Sequence, residues 1–182
     1  SEYRYRDFIL PEDALFVVVS QSGETADTIA ALREAKRRGV RTLSITNVVG
    51  STVAREADHV LYTWAGPEIA VASTKAYSTQ LAVIYMIALY MADQLGTVSS
   101  EDMARYMEDL QRLPDLAEEC LQDKETIQYF ASQYFNAHDM YFIGRNVDYA
   151  ASLEASLKLK EISYIHSEAY TAGELKHGPI SL

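Results

Sequence analysis

The sequence predicts an α/β protein made of two doubly wound units, each built on a parallel sheet. Three observations lead there. Short apolar runs rich in β-branched residues, such as Leu15-Phe16-Val17-Val18-Val19, alternate with helix-like segments. Polar turns stand where strand gives way to helix, foremost Ser20-Gln21-Ser22-Gly23-Glu24-Thr25. The strand–turn–helix pattern then returns near Met140–Asn146, after a long helical stretch.

Taken in order, Leu15–Ser20 reads as a buried strand. Thr25–Arg38 carries apolar residues at Ile29, Leu32 and Ala35 and stops at Gly39, which suits a helix. Val40–Thr46 is the next strand. Ser51 can cap a short helix through Ala57, and His59–Thr63 is a third strand. A long helix is expected from about Ile69 to Leu95. Its second half is apolar almost all round, so burial is expected. Ser99-Ser100-Glu101-Asp102 offers an N-cap for a helix to Leu113, and Pro114 can open another, to about Phe135. Met140–Ile143 is a strand, Gly144-Arg145-Asn146 a second turn, and a helix follows to about Tyr164. The domains expected are residues 1–98, a helical connector 99–136, and a second unit 137–182. Ser1-Glu2-Tyr3 echoes Ser167-Glu168-Ala169-Tyr170, each at the approach to its unit's second strand. On that echo the first unit lacks its opening strand and helix, and the second is cut off after Leu182.

Composition narrows the function. The 182 residues carry 26 acidic and 16 basic side chains, a formal charge of −10. That argues against nucleic acid or an anionic membrane as partner, since both need clustered Lys and Arg. A phosphate ligand needs only local donors. The lone Cys120 excludes an intramolecular disulfide and a Cys-based metal site, and it lies on a helical stretch with no His beside it. The longest apolar run, Leu81–Ala92, is too short to span a bilayer. The opening Ser1–Arg6 looks like an excised piece, and a cytoplasmic location is expected.

Ser20–Thr25 is the first candidate site. Backbone N–H groups at a helix N-terminus are unpaired, and the helix dipole favours an anion there. Ser20, Ser22 and Thr25 add neutral donors. The loop has no lysine, which separates it from nucleoside-triphosphate loops and points to a small phosphorylated metabolite. A second cluster follows the second turn. Glu154, Lys158 and Glu161 are spaced i, i+4, i+7 and share one helix face. Such a pair suits a base held ionised, and it also suits an ordinary surface salt bridge. Then come Tyr164, His166, Tyr170 and Gly173-Glu174-Leu175-Lys176-His177-Gly178-Pro179, in which His177 can exchange a proton near neutral pH. Third, after Trp64-Ala65-Gly66-Pro67-Glu68, Val71, Ser73 and Thr74 either begin the long helix or cap it, and the hydroxyls of Ser73 and Thr74 could complete a phosphate pocket.

Four stretches carry a resemblance. Ser-Gln-Ser-Gly-Glu-Thr at 20–25, Val-Ala-Ser-Thr-Lys-Ala at 71–76, Leu-Lys-Leu-Lys-Glu-Ile-Ser-Tyr-Ile-His at 157–166 and Gly-Glu-Leu-Lys-His-Gly-Pro at 173–179 resemble the sugar isomerase (SIS) family, nearly end to end. The serine-rich loop is shared by many of its domains; the 157–179 stretch is more specific. The resemblance implies two three-layer, flavodoxin-like αβα domains, each a five-stranded parallel sheet wrapped by helices and both incomplete in this chain. It implies an enzyme that moves ammonia, released from glutamine by a separate glutaminase domain, onto fructose 6-phosphate. The product is then isomerised to glucosamine 6-phosphate, the first step of hexosamine synthesis, with no metal or organic cofactor.

By the resemblance, Ser20, Gln21, Ser22 and Thr25 hold the sugar phosphate, and Val71 and Ser73 contact the sugar. Glu161 is the base that moves a proton between C1 and C2. His177 assists ring opening from the neighbouring subunit of a homodimer. Lys158 lies beside the base, and Glu154 is a further possible member. The glutaminase domain, the serine of the opening strand–loop and the C-terminal Schiff-base lysine have no counterpart in the sequence, so the piece alone is expected to be inactive. Two alternatives remain: a stand-alone SIS isomerase or deglycase, and a non-catalytic sugar-phosphate sensor that has no need of Glu161.

Overall fold

The computed structural model describes residues 2–6, 11 and 13–181. The chain divides into two units, Ser1–Leu110 and Gln111–Leu182. The division falls inside the helical stretch expected as a connector.

In the first unit, strands β1 (Leu15–Ser20), β2 (Arg41–Thr46) and β3 (His59–Tyr62) form a parallel sheet in the order β1-β2-β3. Helix α1 (Ala26–Arg37) links the first two strands and α2 (Thr52–Glu56) the next two. These elements match the expected ones to within two residues. The register pairs Ser20 with Thr46 and Thr46 with Tyr62, so all three strands end on one line. The loops that leave them share that carboxyl edge, where ligands bind in such sheets.

The core of this unit lies under α1 and α2. Val18, Leu32 and Val53 are buried together, with Phe16, Ile29 and Ala57 against them. β2 buries three hydroxyls, and each has a partner, as buried polar groups require. Thr42 donates to Asp58 (2.8 Å), Ser44 to the His59 carbonyl (3.5 Å) and Thr46 to the Gln21 carbonyl (3.4 Å). Outside, Arg33 grips Glu56 with two bonds (2.7 and 2.6 Å) and Lys36 reaches Asp58 (2.8 Å), clipping α1 to the end of α2.

Two expectations fail here. The long helix α3 spans Lys75–Gln94, so residues 69–74 precede it. Its burial is also slight: only Ala76 and Val83 are buried, and Ile84, Tyr85, Met86, Tyr90 and Met91 are exposed. Between the helix and the sheet lies an open apolar cavity of about 710 Å³ lined by residues that include Leu15, Leu43, Leu61, Val83, Ile87 and Met91. Composition alone cannot reveal that a helix apolar on every side has so few neighbours.

Helix α4 (Ser100–Leu121) runs straight through Pro114, where the sequence suggested a new start. Proline removes one donor and crowds the preceding turn. No residue of α4 is buried, so the Leu110 carbonyl that loses its partner can turn to water. The break comes later, at Gln122–Asp123, before α5 (Lys124–Tyr134). Ser99 does cap α4, accepting from the Asp102 N–H (3.0 Å).

The second unit pairs β4 (Asp139–Gly144) with β5 (His166–Thr171) in parallel, joined by α6 (Val147–Ser163). Ser156 and Ser167, both buried, bond to each other (2.9 Å) and lock α6 to β5. The described sheets thus hold three and two strands, against the five per domain implied by the resemblance. The internal echo also shifts. Ser1 lies outside the described residues, Glu2–Tyr5 is a 3₁₀ turn, and Ser167–Tyr170 lies within β5 itself. No helix among the described residues is long and apolar enough to cross a membrane.

Candidate functional site

The Ser20–Thr25 loop sits at the carboxyl end of β1, as expected. Thr25 occupies the N-cap of α1, and its side chain makes no cap bond. Its hydroxyl instead meets the Ser20 Oγ (3.1 Å), and the Ser20 Oγ accepts from the Gly23 N–H (3.1 Å). Ser22 Oγ accepts from the Glu24 N–H (3.2 Å). The first-turn N–H groups of α1 therefore receive no cap from Thr25, and two hydroxyls with rotatable protons stand beside them. That is the donor set an anion needs.

Gly23 makes the loop possible. Its φ of +66° suits glycine, and a Cβ there would lie 2.1 Å from Ser51 Oγ. Ser51 holds the N-cap position of α2 without a cap bond; it is buried beneath the loop with no hydrogen-bond partner for its hydroxyl. The loop is tied to the following turn at several points. Asn47 N–H donates to the Gln21 carbonyl (3.1 Å), Val53 N–H to the Gly23 carbonyl (3.0 Å), and Thr52 N–H to Glu24 Oε1 (2.7 Å).

The third-strand loop is held by Asn47, the first residue of the turn after β2. Asn47 Oδ1 accepts from Thr63 Oγ1 (3.1 Å) and the Ala65 N–H (2.9 Å), while its Nδ2 donates to the Gly66 carbonyl (2.7 Å). Its place just past a strand end, where Asn often organises turns, was the available signal. Beyond that loop, Thr74 takes the N-cap of α3 but makes no side-chain cap bond. Glu68 does that work, accepting from the Thr74 and Ala76 N–H groups (3.3 Å each). Val71 is 99% exposed and Ser73 half-buried, both ahead of the helix rather than in it.

In the second unit, Glu154, Lys158 and Glu161 do share one face of α6. Lys158 Nζ lies 2.6 Å from Glu161 and 3.5 Å from Glu154. The bond to Glu161 raises the Lys158 pKa, so the lysine stays an ammonium. Gly144 lets α6 begin close over β4: a Cβ there would lie 2.3 Å from backbone atoms of Asp148. Asn146 turns the chain with a φ of +54°. His177 ends an exposed 3₁₀ turn, Leu175–His177, with its N–H bonded to the Glu174 carbonyl (2.9 Å). Tyr164 closes α6 in a left-handed conformation, and His166 meets Asp139 (2.8 Å). Tyr170 donates to Glu168, which pushes its phenol up to about 12. Cys120 is exposed.

The SIS domain family matches residues 1–90 and 133–182. The chain is 63% identical to the glutamine–fructose-6-phosphate aminotransferase [isomerizing] of Caldanaerobacter subterraneus and 60% identical to that of Clostridium tetani, over all 182 residues in both. It spans 30% of the length of each. Among solved structures, the C-terminal domain of glucosamine-fructose-6-phosphate aminotransferase from Francisella tularensis superposes with a TM-score of 0.95 at 42% identity, over 99% of this chain and 51% of that one.

Proposed function

Since the chain belongs to the SIS domain family, we propose that it is part of the isomerase region of a glutamine–fructose-6-phosphate aminotransferase. The observation that carries this reading is identity of 60% and more along the entire chain with relatives so named. The Ser20–Thr25 loop supports it independently, since neutral donors at an uncapped helix N-terminus suit a single phosphate ester.

The roles are those the family resemblance implies. Ser20, Gln21, Ser22 and Thr25 hold the 6-phosphate of fructose 6-phosphate. Val71 and Ser73, on the extended segment before α3, contact the sugar carbons. Glu161 takes a proton from C1 of the aminated sugar and returns it at C2 while the O1 hydroxyl proton passes to the imine nitrogen, giving glucosamine 6-phosphate with no net change in protons. Lys158 holds that carboxylate in place, with Glu154 on its other side. His177, supplied by a second copy in a homodimer, moves the proton that opens the sugar ring. No metal or organic cofactor takes part. Ammonia comes from a glutaminase domain elsewhere in the full-length protein, which works in the cytoplasm. Residues 1–98 and 137–182 belong to two SIS domains, joined by the helical segment 99–136.

The test is binding of fructose 6-phosphate to the full-length protein. Replacing Ser22 and Thr25 together by Ala raises the dissociation constant by about tenfold or more, from two lost hydrogen bonds to a charged group. An unaltered constant removes the phosphate assignment. Glutamine hydrolysis by the same protein separates this reading from a stand-alone isomerase.

A further inference from the structure

We propose that Glu24 is a positioning residue: with the Thr46–Val53 turn it braces the Ser20–Thr25 loop in its anion-binding shape. This deepens the phosphate reading above and rests on it. The turn reaches the loop at three points. Gln21 is held through its carbonyl by the Asn47 N–H (3.1 Å) and by Thr46 Oγ1 (3.4 Å). Gly23 is held through its carbonyl by the Val53 N–H (3.0 Å). Glu24 alone is held by its side chain, whose Oε1 accepts the Thr52 N–H at 2.7 Å. Between these ties Ser51 is buried beneath Gly23, where a Cβ added to the glycine would lie 2.1 Å from the Ser51 Oγ.

The brace also answers an electrostatic problem. A carboxylate beside Ser22 and Thr25 repels a phosphate unless its charge is offset. Here the carboxylate is spent on the Thr52 N–H, at the start of α2. Arg55 stands at the same turn, with Nη2 donating to Thr52 Oγ1 (3.1 Å) and Nη1 to the Gly50 carbonyl. The bond to Thr52, reinforced by Arg55, holds the Glu24 carboxyl below its ordinary value, so it stays an anion and Arg55 is the charge that offsets it.

Both partners can be removed separately. Glu24→Ala deletes the acceptor. Thr52→Pro deletes the donor, at a site where proline is tolerated: Thr52 is the first residue of α2, and Ser51 before it is already extended (φ −61°, ψ 162°). In the full-length protein each change raises KM for fructose 6-phosphate about tenfold, as loss of one charge-assisted bond would, with kcat within about twofold. The double variant is no worse than either single one, because both break the same link. Glu24→Gln, which keeps an acceptor oxygen at the same reach, recovers most of the loss. Additive effects, or a Gln variant as poor as the Ala variant, overturn the brace. So does an unchanged KM in Glu24→Ala while Ser22→Ala with Thr25→Ala still weakens binding. If no loop variant alters binding, the phosphate reading falls and the brace with it.

Discussion

Lys158 donates a 2.6 Å hydrogen bond to Glu161 on the same face of α6. The pair stands three residues apart on the helix, so it needs no tertiary contact to form. Both side chains are partly shielded, at 25% and 34% exposure. The same geometry suits a base held beside an ammonium and an ordinary surface salt bridge. The two are told apart by function.

Glu161→Gln decides between them. The amide oxygen still accepts from Lys158, so the helix surface is little disturbed, but the group no longer accepts a proton. In the full-length protein, conversion of fructose 6-phosphate to glucosamine 6-phosphate should fall by about 10²–10⁴-fold, the usual worth of a general base. Sugar-phosphate affinity, measured by calorimetry, should stay near that of the unaltered protein. Turnover within a few-fold of normal would leave the pair as a salt bridge only.

Asp58 makes the first unit sensitive to acid. Its carboxyl is held down to about 2, first by the Lys36 ammonium and then by the hydroxyl and N–H of Thr42. The folded value lies below the unfolded one, about 3.9. Its stabilisation is therefore complete above about pH 4 and is lost as pH falls toward 2. Other carboxylates respond over the same range, notably Glu34, also held to about 2 by Arg37 and Arg38. Asp58→Asn isolates the one group. Its melting temperature should lie below that of the unaltered chain at pH 7, and the gap should close by pH 2. Curves that stay parallel across that range would remove Asp58 as the cause.

The strands of the first unit and β4 were legible because each is short and bounded by a turn, so local pattern and tertiary role agree. α1 and the Ser20–Thr25 loop were legible for the same reason. β5 (His166–Thr171) was not legible, because its largely polar residues make no apolar run. The misreadings share a different cause. Pro114 was read as a boundary on local propensity, yet an exposed helix can leave one carbonyl to water. The start of α3 was misplaced because the cap comes from Glu68, six residues before Thr74. The sequence gives Asn47 and Glu24 no role beyond their turns, because their side chains bond residues 16 and 28 positions further on, Thr63 and Thr52. The shared face of Glu154, Lys158 and Glu161 was legible from spacing, while the role given to His177 rests only on the family resemblance.

Gly144 tests how the second unit holds its candidate base. A Cβ at this position would lie 2.3 Å from the Asp148 carbonyl carbon and oxygen and 2.5 Å from the Tyr149 nitrogen. All three are backbone atoms, so no side chain can swing aside and α6 itself must lift from β4. Gly144→Ala should cost about 2 kcal/mol or more. Gly173→Ala is the control, since its Cβ meets nothing within 4 Å and its backbone is not left-handed. Thermal unfolding of the two variants should differ by several degrees; equal melting temperatures would show that α6 can slide to accept the methyl. The functional consequence is specific, because α6 carries Glu154, Lys158 and Glu161 while the Ser20–Thr25 loop, the proposed phosphate site, belongs to the first unit. Where Gly144→Ala remains folded, isomerisation should suffer more than fructose 6-phosphate binding, and equal losses in both would mean that the methyl disturbs more than the seat of the helix.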